Sequence, residues 1–142
     1  MPKVSSRATT IARWLVRLLG TIMLILGTLF WTGNALSLIP VHMLLGLALV
    51  LTLWTLAILA ARGGVHPGLV ALAIAWGLVV PILGLSQDGL LPGPAHWVIQ
   101  VLHLLVGLAA IGLAEALSVR LVAPARSVQS RQLASATHDR PA

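Results

Sequence analysis

The sequence has no cysteine and no tyrosine, one phenylalanine, and only three acidic residues among 142. Without cysteine, disulfide bridges and thiolate metal ligands are both excluded. Two of the carboxylates, Asp88 and Glu115, fall in separate segments, whereas general acid–base catalysis needs groups that converge on one substrate. A zinc site is also disfavoured, because the histidines have no convergent cysteine, aspartate or glutamate to complete a tetrahedral set. These absences argue against a disulfide scaffold, a hydrolase and a zinc protein.

What the sequence does contain is apolar residues, at 58% of the chain, with a mean hydropathy of +1.01. A soluble domain of this length could not bury so much apolar surface, so we expect lipid to form part of its environment. Crossing the hydrocarbon core takes about 20 helical residues. Four continuous stretches, in which apolar and polar residues do not alternate, meet that length: 14–35, 39–60, 68–86 and 96–118. The sequence predicts an all-α integral membrane four-helix bundle.

The formal net charge of +6 has a one-sided distribution. All nine basic residues fall before or at the start of span one, between spans two and three, or after span four: Lys3, Arg7, Arg13, Arg17, Arg62, Arg120, Arg126, Arg131 and Arg140. The positive-inside rule makes that side cytoplasmic, which predicts a multi-pass protein of the inner (plasma) membrane with both termini inside. The charge is then explained by topology and by attraction to anionic lipid headgroups, without nucleic acid as a partner.

The ends of the chain differ from its apolar middle. Residues 1–13 are expected to form a cytoplasmic N-terminal segment. The first apolar stretch is too long for a usual signal-peptide core and is followed by a poor cleavage site, so we interpret it as an uncleaved anchor. Residues 119–142 lack apolar periodicity and are rich in small and polar residues. They are predicted to form a disordered basic tail in the cytoplasm.

Five tryptophans and one carboxylate add to this interpretation. Trp14, Trp31 and Trp97 fall at the predicted membrane interfaces, whereas Trp54 and Trp76 lie deeper and are expected to pack between helices. The carboxylate of span four, near its inner end, is expected to form an ion pair with a neighbouring arginine. The candidate pairs are Glu115 with Arg13, Arg17, Arg62 or Arg120.

A short phrase occurs twice. Residues 42–48 read HMLLGLA and residues 103–109 read HLLVGLA, while ILG occurs at 25–27 and again at 82–84. Each half of the chain thus has ILG, a polar turn, and an incoming helix with a histidine four residues before a glycine. The pattern predicts two tandem helical hairpins related by a pseudo-two-fold axis along the membrane normal. The alternative is chance recurrence, since leucine, glycine and alanine are frequent throughout the chain.

The repeated phrase places His42 and His103 on equivalent helices at similar heights above the cytoplasmic arginines. In span four, polar and small residues recur at alternating steps of three and four, which puts them on one helix face. These residues are His96, Gln100, His103, Gly107, Ala110 and Ala114. Such a face is expected to point into the bundle, since polar groups avoid lipid and small residues permit close helix approach.

Two facing imidazoles, each with a glycine one turn away, resemble the haem sites of small membrane b-type cytochromes and of the four-helix halves of haem A synthase. The resemblance covers spans two and four in general form. It implies His42 and His103 as axial ligands of a haem b iron, and Gly46 and Gly107 as positions that clear the macrocycle. His96 competes as a second ligand, a propionate partner or an interfacial residue. The implied role is electron transfer with a redox partner or a quinone, without bond-making catalysis by this chain alone.

Other interpretations remain open from the sequence. The histidines could instead donate hydrogen bonds across a helix interface, in which case the chain is a cofactor-free structural or accessory subunit. The pair His42 and His103 could also bind a metal ion or transfer a proton. A third class is a small transporter, which would need a homo-oligomer or a larger membrane complex, because one chain offers little polar lining.

Overall fold

The protein is all-helical in this computed structural model, which describes residues 6–138 and the side chains of residues 7–121. Short 3-10 turns, Leu36–Leu38 and Gln87–Gly89, lie in the first and third connections. The four helices are α1 (Ser6–Trp31), α2 (Ile39–Arg62), α3 (Pro67–Ser86) and α4 (His96–His138). No strand occurs between residues 6 and 138. The predicted all-α class is confirmed.

The helices pack as a rhombus in cross-section. Helix α2 contacts α1, α3 and α4, and α4 likewise contacts all three of the others. Helices α1 and α3 make no contact within the described part of the chain. The two helices that carry the repeated histidine phrase therefore form the central pair, and α1 and α3 flank it on either side.

Local sequence explains where the helices begin and end. Helix α1 ends before Gly33, which adopts a positive φ of 75° that glycine tolerates without a Cβ penalty. Helix α3 begins at Pro67, whose fixed φ suits a first helical position. The preceding His66 accepts a hydrogen bond through Nδ1 from the backbone N–H of Gly68 at 3.1 Å. Pro81 lies inside α3, which continues to Ser86.

The core lies toward the end of the bundle where α2 meets α3. Its largest fully buried side chains include Leu53 and Leu56 of α2 and Leu117 of α4. Between them, alanines of three helices are almost completely buried and allow the backbones to approach closely: Ala57, Ala60, Ala73, Ala110 and Ala114. The burial of Ala110 and Ala114 confirms that the small-residue face of span four points inward.

The outer surface is mostly apolar. Large side chains exposed on all four helices include Leu18, Leu44, Leu51, Ile82 and Leu105. Four helices are long and apolar enough to cross a membrane: Arg7–Trp31, Leu36–Arg62, Pro67–Gly89 and His96–Leu121. An apolar exterior of this kind is stable against lipid and is costly in water.

The predicted boundaries differ from the observed helices mainly at the two ends of the chain. Helix α1 already includes Ser6, well before the predicted start at 14, and α4 continues to His138, past the predicted end at 118. The backbone is helical over 119–138, and the predicted disorder of the tail stays a prediction. The segment contains no glycine and several good helix formers, and the helix continues past its one proline, Pro124.

Candidate functional site

The repeated histidines both lie near the starts of their helices. His42 is in the first turn of α2, and His103 is in the third turn of α4. Both helices start from the same end of the bundle, opposite the α2–α3 turn. Because α2 and α4 are in direct contact, the two side chains enter the same region between the helices.

The imidazole rings of His42 and His103 face each other with centroids 6.3 Å apart and planes inclined at 46°. Imidazole nitrogens bind first-row metal ions at about 2.0–2.1 Å. Since a ring nitrogen lies about 1.2 Å from its ring centroid, two imidazoles that hold one ion from opposite sides, with a nitrogen of each aimed at it, have centroids roughly 6–6.5 Å apart. The observed separation falls in that range.

One nitrogen of each ring is buried without a partner. The Nδ1 atoms of His42 and His103 are both shielded and accept or donate no hydrogen bond. Buried polar atoms in native proteins almost always have a partner, so two unpartnered nitrogens in one place require an explanation. A bound group that satisfies imidazole nitrogens is one such explanation.

Each ring has a different neighbour on its flanking helix. The ring of Phe30 in α1 meets His42 edge-on, with centroids 5.3 Å apart. On the other side, a Cβ added to Gly84 in α3 would lie 3.3 Å from Cε1 of His103. The glycine of the second ILG phrase therefore makes room for the imidazole, whereas Gly27 of the first phrase has nothing within 4 Å of its Cβ position.

The glycines one turn below the histidines also differ from each other. A Cβ on Gly107 would meet nothing within 4 Å, so the space beside it is open. A Cβ on Gly46 would lie 3.2 Å from the terminal methyl of Met23, which is the end of a flexible side chain. Neither position is blocked by a backbone or a rigid ring.

His96 is separate from the pair. It is the first residue of α4, and its Nδ1 lies 3.1 Å from the backbone carbonyl oxygen of Leu90. This contact closes the α3–α4 connection, where Leu91 and Gly93 have positive φ values of 46° and 93°. The structure thus brings His103 to His42 and gives His96 a hydrogen-bonding role in the loop.

Two tryptophans between the helices act through their indole nitrogens, which the sequence interpretation as packing residues missed. Trp76 donates to the carbonyl of Val106 at 2.9 Å, and Trp54 donates to the carbonyl of Ile74 at 3.2 Å. The available signal was chemical, because an indole N–H inside an apolar bundle needs an acceptor. Phe30, the only phenylalanine in the chain, gave no comparable signal.

The remaining titratable groups do not extend the site. Glu115 bonds to Arg13 and Arg17, which selects two of the four arginines considered from the sequence. Asp88 lies in the 3-10 turn of the α3–α4 connection, at the same end of the bundle as the histidines, and its side chain is exposed. Among the residues that the structure describes, no group of three or more His, Asp or Glu side chains is arranged to hold a metal ion. The histidine pair is therefore a two-ligand arrangement.

No family model matches the chain, and no similar protein was found among either the curated proteins or the solved structures.

Proposed function

We propose that this protein is a small membrane electron-transfer subunit that binds haem b between His42 and His103. The observation that carries the proposal is the 6.3 Å separation of the two ring centroids, which is compatible with both rings holding one iron. When bound, haem supplies reversible one-electron chemistry. His42 and His103 would hold the iron through one nitrogen of each ring, and the surrounding bundle would exclude water from it.

The proposed setting is the plasma membrane, with both termini in the cytoplasm. The lengths and apolar exteriors of the four helices support insertion. The one-sided distribution of lysine and arginine supports the orientation. The histidine pair then lies toward the extracellular face, so a quinone or a redox protein that reaches this face is the proposed electron partner.

The tandem-hairpin symmetry is part of the proposal and is supported by two bridging contacts. A 57-residue offset relates Gly27 to Gly84, and the same offset relates Arg17 to Ile74. The 61-residue offset between the histidines relates Trp54 to Glu115. Arg17 bonds to Glu115 between α1 and α4, while the indole of Trp54 bonds to the carbonyl of Ile74 between α2 and α3. The two bonds therefore join equivalent positions of the two hairpins, one as an ion pair between α1 and α4 and the other as a hydrogen bond between α2 and α3.

The residues around the pair fit a flat macrocycle in part. Gly107 has open space at its Cβ position, and the side chain beside Gly46 is a flexible methionine. The buried and unpartnered Nδ1 atoms mean that neither imidazole is already committed to a protein hydrogen bond at that atom. Phe30 and Gly84 contact the rings on their outer sides and would fix the ring orientations.

The proposed haem would have few positively charged side chains near its propionate groups. The outer connections contain no lysine or arginine. His96 and Trp97 at the start of α4, and Asn34 in the first connection, are the side chains that would serve as donors there. Asn34 already donates to the carbonyl and the hydroxyl oxygen of Thr32. These neutral groups would have to meet the propionates without a lysine or arginine from the outer connections.

The experiment is a reduced-minus-oxidised optical spectrum of the full chain purified from haem-replete cells. We expect b-type absorption bands that disappear in His42→Ala and in His103→Ala. The matched control is His96→Ala, which should keep the bands because that ring bonds to the Leu90 carbonyl and does not face the pair. A colourless, folded wild-type protein would overturn the proposal.

One set of contacts favours a second function, that of a cofactor-free accessory subunit. The helices are already joined to one another without any bound group, through the indole hydrogen bonds of Trp54 and Trp76 and the ion pairs of Glu115. In that case the histidines organise helix packing, and the colourless outcome is the expected one.

A further inference from the structure

At the opposite end of the bundle from the histidines, a cluster of charged side chains joins α1 to α4. The carboxylate of Glu115 accepts from Nε of Arg13 at 2.8 Å and from Nε of Arg17 at 2.5 Å. A further contact, from Nη2 of Arg17, is 3.3 Å long. Two guanidinium groups share one carboxylate, so the cluster keeps one uncompensated positive charge.

The arginines retain donors that Glu115 does not use. A guanidinium carries five N–H donors, and Glu115 takes one from Arg13 and two from Arg17. Both side chains are partly accessible, at 34% and 43% of their surface. The guanidinium of Arg17 also lies 5.4 Å from the ring centroid of Trp14, which is itself 64% exposed on the outer surface of α1. The cluster therefore presents unused donors beside an aromatic ring on the lipid-facing side.

The depth of the cluster suits a phospholipid headgroup. Gly63, at the end of α2, lies against Leu121 of α4, which fixes the level of the α2–α3 turn. Glu115 is six residues from Leu121 toward the bundle centre, or about 9 Å along the helix. The polar interfacial region of a bilayer is roughly 5–8 Å thick on each side. The cluster thus lies close to the boundary between headgroups and acyl chains.

The neighbouring charges at this end are almost all positive. Arg7, Arg62 and Arg120 are exposed there. Glu115 is the one acidic side chain at this end among the residues described, since Asp88 lies at the other end. The surrounding field therefore favours an anion over a zwitterion.

We propose that Arg13 and Arg17 form a binding site for the phosphate of an anionic phospholipid, with its acyl chains lying along α1 over Trp14. In this arrangement Glu115 orients the two guanidinium groups by holding their Nε atoms, and their remaining N–H groups donate to the phosphate oxygens. Arginine suits this role because its planar fork matches phosphate geometry. The inference rests on the proposed membrane insertion and is independent of haem.

The test uses the full chain in phosphatidylcholine vesicles that contain a fixed mole fraction of phosphatidylglycerol. Bromine is placed on the acyl chains of one lipid or the other, and the quenching of Trp14 is obtained as the difference between the wild type and Trp14→Phe. We expect brominated phosphatidylglycerol to quench Trp14 at least twofold more than the same mole fraction of brominated phosphatidylcholine. In the double variant Arg13→Gln/Arg17→Gln, the two brominated lipids should quench Trp14 equally.

Glu115→Gln distinguishes a lipid site from a simple helix-to-helix lock. Glutamine keeps an acceptor oxygen that can hold the guanidinium groups and removes the negative charge that competes with the phosphate, so the preference for the anionic lipid should increase in this variant. Arg120→Gln is the matched control, because it removes one exposed charge at the same end and should keep the preference.

Several outcomes would overturn the inference. If both lipids quench Trp14 of the wild type equally, the lipid site is overturned and membrane insertion stands. If neither lipid quenches Trp14, membrane insertion is overturned as well. Loss of the preference in Glu115→Gln would identify the cluster as a packing contact only. Loss in Arg120→Gln, as large as in the double variant, would identify general surface charge. Loss on adding sodium phosphate, but not sodium chloride of equal ionic strength, would identify a site for free phosphate.

Discussion

The indole nitrogen of Trp76 donates a hydrogen bond to the backbone carbonyl of Val106 at 2.9 Å. Val106 follows His103 by three residues, so this bond ties α3 to α4 within one turn of the candidate ligand. It acts together with Gly84, which lies against the imidazole of His103. Helix α3 therefore sets both the rotation of α4 and the position of the ring that α4 carries.

Trp76→Phe should lower the free energy of unfolding by about 1 kcal/mol, the usual size of an interhelical hydrogen bond. Phenylalanine also lacks the five-membered ring of the indole, so lost packing adds to the lost hydrogen bond and about 1 kcal/mol is a lower limit. The measurement is equilibrium unfolding of the purified protein in mixed micelles. Trp97→Phe is the control, since Trp97 is 57% exposed and should change stability little. Equal effects of the two changes would contradict the assigned role of Trp76.

Gly77→Ala should destabilise the bundle by about 1–3 kcal/mol, the cost of overpacking a tight contact. A Cβ there would overlap the indole nitrogen of Trp54 and lie 2.9 Å from its Cδ1. The indole would have to move and would lose its bond to the carbonyl of Ile74.

The control for that change is Gly112→Ala. Gly112 lies within α4 and has nothing within 4 Å of its Cβ position. Alanine is favoured over glycine in a helix interior by up to about 1 kcal/mol. The free energy of unfolding should therefore fall in Gly77→Ala and rise in Gly112→Ala. A destabilised Gly112→Ala would contradict the packing seen around α4.

On the proposal that His42 and His103 hold haem, His103→Gly should lose the low-spin haem spectrum, and added imidazole in the millimolar range should restore it. The deleted ring leaves a space bordered by Gly84, into which free imidazole fits. Electron paramagnetic resonance and optical spectra measure the spin state. His96→Gly should neither lose the spectrum nor respond to imidazole. A low-spin spectrum in His103→Gly without added imidazole would exclude this residue as an axial ligand.

The chain's lack of cysteine makes its topology directly measurable. Single variants Ser37→Cys and Asp88→Cys, both exposed in the connections at the histidine end of the bundle, should react with a membrane-impermeant maleimide on intact cells. Ser127→Cys, in the predicted cytoplasmic tail, should react only after the membrane is opened. The cysteine-free wild type supplies the background. The reverse labelling pattern would contradict the orientation inferred from the positive-inside rule.

The sequence alone determined the helical class and the approximate positions of all four helices. A long apolar stretch in lipid forms a helix, because the hydrogen bonds of a helical backbone are all made within the segment, whereas strands would have to close into a barrel. The repeated phrase also identified His42 and His103 as a pair. Spacing along α4 correctly placed Ala110 and Ala114 on the buried face. These are properties of local composition and of the helical period.

Only the tertiary structure decided which groups meet. The sequence left His96 and His103 as competing partners of His42, since both share one face of α4, and the crossing of α2 with α4 brings His103 to it. It likewise left four arginines as partners for Glu115, and the α1–α4 contact selects Arg13 and Arg17. Helical periodicity fixes the face on which a side chain lies. The rotation and crossing of neighbouring helices, which depend on packing over the whole bundle, fix what that face touches.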